Sequence, residues 1–264
     1  MAKYARWIGG ALGWAIGGPI GAVLGVFGGM MFEESAAKTD DKNTGGERYN
    51  TSSGDFAASL LVLSAAVMKA DDKILKSELN FVKKFYVDNF GEEVAEHHIL
   101  LLKKLLKTEP RTIEVSRQIR HFMQHSNRLL LMQYLFGIAN ADGHIDPREL
   151  SVLRTINVNM GISMRDFESI KAMFMGYSRS SSSNSRSRST TYTSQSKIDA
   201  AYKILEIEPT VEDAEVKKAY RRMARKYHPD KNRNVGESYM KLAEENFIKV
   251  QEAYELIKKR RGMK

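Results

Sequence analysis

The sequence predicts an all-α chain in which membrane, globular and tether segments alternate, and three observations predict it. Apolar residues recur at helical spacing through residues 55–175 and again through 197–264, with no strand-like alternation to compete. An uncharged stretch from Trp7 to Phe32 places a glycine at every fourth position. Between the two helical regions, Ser178 to Ser196 is almost wholly Ser, Thr, Arg and Asn, a composition that cannot bury a core. At 264 residues the chain is long enough for two modest domains and their linkers. It has no cysteine, which excludes disulfides and cysteine-ligated zinc.

The first element is residues 7–32. Its 26 charge-free residues make a helix about 39 Å long at ~1.5 Å per residue, against a hydrocarbon core of about 30 Å. Gly9, Gly13, Gly17, Gly21, Gly25 and Gly29 fall on one face and leave a groove without side chains. Such a groove lets two membrane helices approach backbone to backbone, so a homodimer through this face is expected. Crosslinking in membranes checks it: changing Gly17 and Gly21 to Leu should lower the dimer fraction, and an unchanged fraction contradicts it. Nine glycines and Pro19 make the segment weakly hydrophobic, so an interfacial hairpin stays open as an alternative. Lys3 and Arg6 before the run and Ser35-Ala36-Ala37 after it also fit a signal peptide, although the run exceeds a usual signal core. Residues 33–54, with Gly45-Gly46 and Ser52-Ser53-Gly54, read as a linker.

Residues 55–175 read as one helical domain. Leu60, Leu61, Leu63, Ser64 and Val67 open an amphipathic helix, and further runs follow at about 77–89, 92–107, 111–125, 126–141, 147–160 and 164–174. The stretch Ala70-Asp71-Asp72-Lys73-Ile74-Leu75-Lys76-Ser77-Glu78-Leu79 aligns without gaps to Ala141-Asp142-Gly143-His144-Ile145-Asp146-Pro147-Arg148-Glu149-Leu150, 71 positions later. A helix precedes each copy and an apolar helix follows it, so two helix-turn-helix units are expected to pack as pseudo-symmetric halves. Asp146 reads as an N-cap, Pro147 as the first helical residue, and Glu149 as the side chain that bonds back to the cap. His121 and His125 have the i, i+4 spacing of a zinc pair, but no third ligand accompanies them.

Residues 176–196 form the second linker, a coil spanning about 25 Å on average that is expected to let the C-terminal region swing. Beyond it, Val216, Tyr220, Met223 and Tyr227 recur at i, i+4, i+7 and i+11, one apolar stripe of a helix. Lys217, Lys218, Arg221, Arg222, Arg225 and Lys226 lie off that stripe. Pro229 ends the helix and biases His228 away from helical dihedrals, so His228-Pro229-Asp230 is a loop. Phe247, Val250, Tyr254 and Ile257 then restore helical spacing. Two antiparallel helices with a polar tip follow. Residues 197–264 hold 17 Lys+Arg against 12 Asp+Glu, a net of +5, whereas residues 1–175 hold 21 against 20. Most of the chain's net charge of +9 therefore lies at its C-terminal end, where it would steer an acidic partner.

This C-terminal segment resembles the J domain of DnaJ-type co-chaperones. The likeness is carried by Tyr202-Lys203-Ile204-Leu205, Val216 to Arg222, Tyr227-His228-Pro229-Asp230-Lys231 and Gln251-Glu252-Ala253-Tyr254-Glu255-Leu256. It implies four short helices that bind a DnaK-type chaperone and accelerate its ATP hydrolysis. His228, Pro229 and Asp230 would be needed for the stimulation. Lys217, Arg221 and Arg222 match docking positions, and Lys218 and Lys226 extend the same basic helix. Basic helices also bind nucleic acid, but the triplet favours a chaperone and no nucleic acid is expected. The repeat in the middle region resembles the TerB-like domain of tellurite-resistance proteins, with Asp142, Gly143, Ile145 and Glu149 fitting its signature and Asp72 standing where glycine is expected. Some relatives are suspected of binding metal, which would place an ion among Asp71, Glu78, Asp142 and Glu149. Helix capping explains the same acids, and they lack EF-hand spacing. No other cofactor is implied.

The order of parts resembles the DjlA-like membrane-anchored J-domain co-chaperones. That likeness implies a single-pass protein of the bacterial inner membrane with the TerB-like and J domains in the cytoplasm. Lys3 and Arg6 oppose Lys38, Lys42 and Arg48 across the span, so charge alone leaves the orientation open. Without a phosphate-binding glycine loop, nucleophile elbow or paired-carboxylate signature, no enzyme is expected. The competing reading is a metal- or stress-responsive membrane protein that acts through the TerB-like domain, with the J domain secondary.

Overall fold

A computed structural model describes residues 51–109, 111–175, 194–228 and 237–263. Its ten elements are all α-helices: α1 Thr51–Met68, α2 Lys76–Phe90, α3 Glu92–Leu105, α4 Thr112–Phe122, α5 His125–Ala139, α6 Pro147–Asn159, α7 Met164–Met175, α8 Ser194–Ile204, α9 Asp213–Lys226 and α10 Glu237–Arg261. There is no strand among the described residues. The membrane segment with its six spaced glycines, most of the second linker, and Pro229 and Asp230 lie outside them.

The helix expected to be amphipathic is instead buried all round. Every residue from Ser59 to Met68 is at most 5% exposed, because α3, α4, α5 and α6 surround α1. The equivalent helix of the second repeat, α5, is likewise enclosed from Leu129 to Ala139. These two helices pack against each other as the pseudo-symmetric centre, with α2 and α6 following them. A polar pair crosses that centre: Ser64 Oγ lies 3.0 Å from the Tyr134 hydroxyl and donates to Leu60 O at 2.6 Å. Left unpaired, each buried hydroxyl would cost roughly 1–3 kcal/mol. Gly137 of α5 permits the ring of Phe81 to lie on the helix backbone, since a Cβ there would meet Phe81 Cζ at 2.5 Å.

The two repeat turns share their backbone logic. Gly143 has φ +86° and Asp72, its counterpart, has φ +62°. The turn requires a left-handed residue, and Asp is among the few with a side chain that tolerate it. The repeat therefore keeps its geometry where its sequence departs. Asp71 Oδ1 accepts from the Lys73 N–H at 3.0 Å, and Asp142 Oδ1 from the His144 N–H at 2.8 Å.

The C-terminal hairpin departs from the expected four short helices. Three helices are described, and the last runs for 25 residues. No glycine or proline interrupts the chain between Gly236 and Gly262, so nothing breaks the helix, and Gly262 then closes it at φ +66°. Nor does the hairpin stand apart from the middle domain. Ala172 and Met173 of α7 join the core of α8, α9 and α10, while Ala243 of α10 joins the core of the middle domain. Phe174 packs against both cores, with Lys249 Nζ 4.5 Å above its ring.

Candidate functional site

The hairpin is built on α9 and α10. Val216, Ala219, Met223 and Tyr227 are buried against Val250, Ala253 and Ile257, as the helical periodicity requires. Tyr220 and Tyr254 stack at 4.4 Å between ring centroids, tying the two helices along one edge. The far end is pinned by Arg261, which donates to the carbonyls of Pro209 and Val211 at 2.6 Å each, to Asp213 Oδ1 at 3.0 Å and to the Tyr202 hydroxyl at 2.8 Å. One guanidinium thus fixes the α8–α9 connection to the end of α10 through a planar fork that lysine could not supply.

The other side of α9 is open and cationic. Lys217, Lys218, Arg221, Arg222 and Arg225 are exposed. Lys218 is lightly held by Glu215 at 3.5 Å, and Arg222 donates to Leu205 O at 3.1 Å beside Glu206. Lys217, Arg221 and Arg225 form no ion pair with the described residues. Asp213 and Glu215 at the start of α9, with Arg225 and Lys226 at its end, complement the helix dipole, so charge and helix stability agree. His228 follows directly, exposed, with its ring edge-on to Phe247 at 6.2 Å between centroids. Lys226, grouped by sequence with the docking cations, turns inward instead to Asp166 and Glu206.

The acids of the middle domain come together in part. Glu78 and Glu149 are 3% and 5% exposed, and the two repeats bring their carboxyls into hydrogen-bonding contact. Each also closes its own cap: Glu78 Oε2 accepts from the Leu75 N–H and Glu149 Oε2 from the Asp146 N–H, both at 2.8 Å. Asp146 accepts from the Arg148 N–H, and Pro147 opens the helix, as the sequence predicts. Burial pushes Glu78 up to about 8, helped by Glu149 and Asp71. Glu149 is raised as well, chiefly by burial, with Asp71 and Asp142 adding to it. Glu78 therefore keeps its proton at neutral pH, beside the Glu149 carboxyl. Among the described residues no three His, Asp or Glu side chains gather closely enough to hold a metal ion.

Three family models match successive parts of the chain. The model described as "DnaJ domain" matches residues 200–262, "Tellurite resistance protein TerB" matches 57–172, and "Co-chaperone DjlA transmembrane domain" matches 1–40. Co-chaperone protein DjlA of Coxiella burnetii is 25% identical over 97% of both chains. The protein of the same name from Haemophilus influenzae is 23% identical over 97% of this chain and 98% of its own. Over nearly its whole length the chain is similar to the DjlA co-chaperones. A third DjlA, from Escherichia coli K12, is 28% identical over about half of each chain, 51% and 52%. No solved structure matches. No helix among the described residues is long and apolar enough to cross a membrane, and the stretch matched by the transmembrane model lies outside them.

Sequence reasoning passed over several residues that organise this region. Gln133 interrupts the apolar run Leu129 to Ala139, and Asn246 interrupts the stripe Ala243, Val250, Ala253, Ile257. Both breaks were visible as polar residues at core positions. Asp166, Glu206 and Arg261 carried no such signal, being charged residues at helix ends.

Proposed function

We propose that the chain is a membrane-anchored co-chaperone that stimulates the ATPase of a DnaK-type chaperone through α9 and the sequence His228-Pro229-Asp230. The observation that carries this reading is the open cationic face of α9, ending at an exposed His228 within the region matched by the DnaJ model. Exposed cations on a rigid helix attract an acidic surface and orient the encounter, at a cost in salt sensitivity. The helix then presents His228, with Pro229 and Asp230 beside it, to the machinery that hydrolyses ATP. The hydrolysis is the partner's chemistry. The names of the full-length relatives support the co-chaperone role, and the N-terminal match to a transmembrane model supports the anchor. With the DnaK-type partner in the cytoplasm, the TerB-like and J domains lie on that side of a single span.

Charge reversal of the open face tests it. The double variant Lys217→Glu, Arg221→Glu should need at least about tenfold more protein for half-maximal ATPase stimulation at low salt, two charges being changed at a docking surface. Raising ionic strength should shrink the difference between variant and wild type. Equal stimulation at low salt contradicts the docking role of α9.

A further inference from the structure

The foot of the loop that carries His228 is gripped by the TerB-like domain. Lys226 Nζ sits between Asp166 of α7 and Glu206 of the α8–α9 turn, 2.6 Å from Glu206 Oε1 and in direct contact with Asp166 Oδ1. Both carboxylates are nearly enclosed, with side chains 8% and 11% exposed. Asp166 is held ready by the helix it starts: its Oδ2 accepts from the Ser163 hydroxyl at 2.7 Å, and its N–H donates to Ser163 Oγ at 3.1 Å. His125 Nε2 stands 3.8 Å from the same carboxylate, on the solvent side. Two further bonds join the domains. Asn246 Nδ2 donates to Gln133 Oε1 at 2.6 Å, and the Ser169 hydroxyl donates to Ile204 O at 2.9 Å.

Three of the five buried side-chain atoms without a hydrogen-bond partner among the described residues lie at this junction. Among the described residues Gln133 Nε2, Asn246 Oδ1 and the Tyr227 hydroxyl find no well-formed hydrogen bond, although the Tyr227 hydroxyl lies beside Ser169 and Gln133. All three atoms are buried at the junction of the two domains, and each is desolvated without full compensation. Separation would return them to water. Interfaces between domains that move are commonly of this polar kind.

We propose that this junction is a latch: the TerB-like domain holds the J hairpin closed, and the acidic surface of the partner chaperone opens it by taking Lys226 from Asp166. The inference rests on the DnaK-type partner proposed above. Closed, the hairpin keeps Lys217, Lys218 and Arg221 open for first encounter while Lys226 is occupied. Exchange of Lys226 from one carboxylate surface to another then frees Tyr227 and His228. The middle domain thus sets the threshold for engagement, and whatever binds α5 or α7 would change it.

The full chain, reconstituted in lipid nanodiscs, permits a direct test because it has no cysteine of its own. Spin labels at Arg165→Cys and Arg225→Cys, both exposed positions on the two sides of the junction, report its separation when diluted with unlabelled chain. The expected result is one short distance alone and a second, longer population when chaperone and ATP are added. Asp166→Asn, which keeps the oxygen that accepts from Ser163, should enlarge the long population and lower the half-maximal concentration for ATPase stimulation at least about threefold at unchanged maximal rate. Asn246→Ala, made from the other side of the junction, should act in the same direction should Asp166→Asn fail to fold. Distances that ignore both the variants and the chaperone overturn the latch, as does a half-maximal concentration that stays constant or rises. A chain that stimulates no ATPase, yet whose distance lengthens in Asp166→Asn, upholds the latch and sinks the co-chaperone reading instead.

Discussion

Glu78 and Glu149 meet at the junction of the two repeats, where burial raises both carboxyls and keeps Glu78 protonated at neutral pH. The consequence for stability has a definite sign. Below pH 4.5 Glu78 is protonated in the folded and unfolded chain alike, and the pair costs nothing extra. Between pH 4.5 and about 8 the unfolded chain has released that proton while the folded domain retains it, so stability falls as pH rises. The loss levels off above the folded value. A glutamine at position 78 keeps both the acceptor for the Leu75 N–H and a donor toward Glu149, and it cannot ionise. Glu78→Gln should therefore melt close to wild type at pH 5 and be more stable by roughly 2 kcal/mol at pH 8.5, since each tenfold change in proton affinity is worth about 1.4 kcal/mol and the partner absorbs part of it. A difference that is the same at both pH values contradicts the retained Glu78 proton. These acids were legible in the sequence as caps and as a candidate metal cluster. Their direct contact was not, because it depends on how the two halves face each other.

Among the elements, those set by local chemistry were readable to within a few residues. The helix over Pro147–Asn159 starts where Asp146 and Glu149 close a capping box, and α9 ends at Lys226, three positions before the proline at 229 in the sequence. The failures share one cause, which is tertiary enclosure. The α1 helix carries polar Ser59 and Ser64 and so resembles a half-exposed helix, yet its neighbours surround it and Tyr134 satisfies Ser64. The final helix was expected to be short on family resemblance, while its own residues contain no breaker for 25 positions. Lys226 was assigned to the open face because it lies off the apolar stripe. Its direction was decided by Asp166, which is 60 positions away in sequence.

At the scale of the whole molecule, the parts are ordered so that a membrane stretch, a helical platform and a cationic hairpin follow one another along the chain. The platform does more than space the hairpin from the membrane, since α5 and α7 contribute side chains to its foot. The three family models match residues 1–40, 57–172 and 200–262, and nothing in the sequence indicates that the last two parts touch. Contact between domains joined by a Ser-rich tether depends on a few polar residues, and these leave no periodic trace.

The proposed function requires His228, at the end of a positively charged helix, to drive hydrolysis in another protein. Single-turnover ATP hydrolysis by the purified cognate DnaK-type chaperone tests it most directly, measured with the full chain and with His228→Gln. His228 is exposed and lies outside the buried core of the hairpin, so its loss should leave the fold intact. The account predicts a saturable acceleration by the wild-type chain and at least about a tenfold loss of that acceleration in the variant, equivalent to roughly 1.4 kcal/mol or more of activation free energy. A His228→Gln chain that accelerates hydrolysis as well as wild type, or a wild-type chain that accelerates nothing, would contradict it.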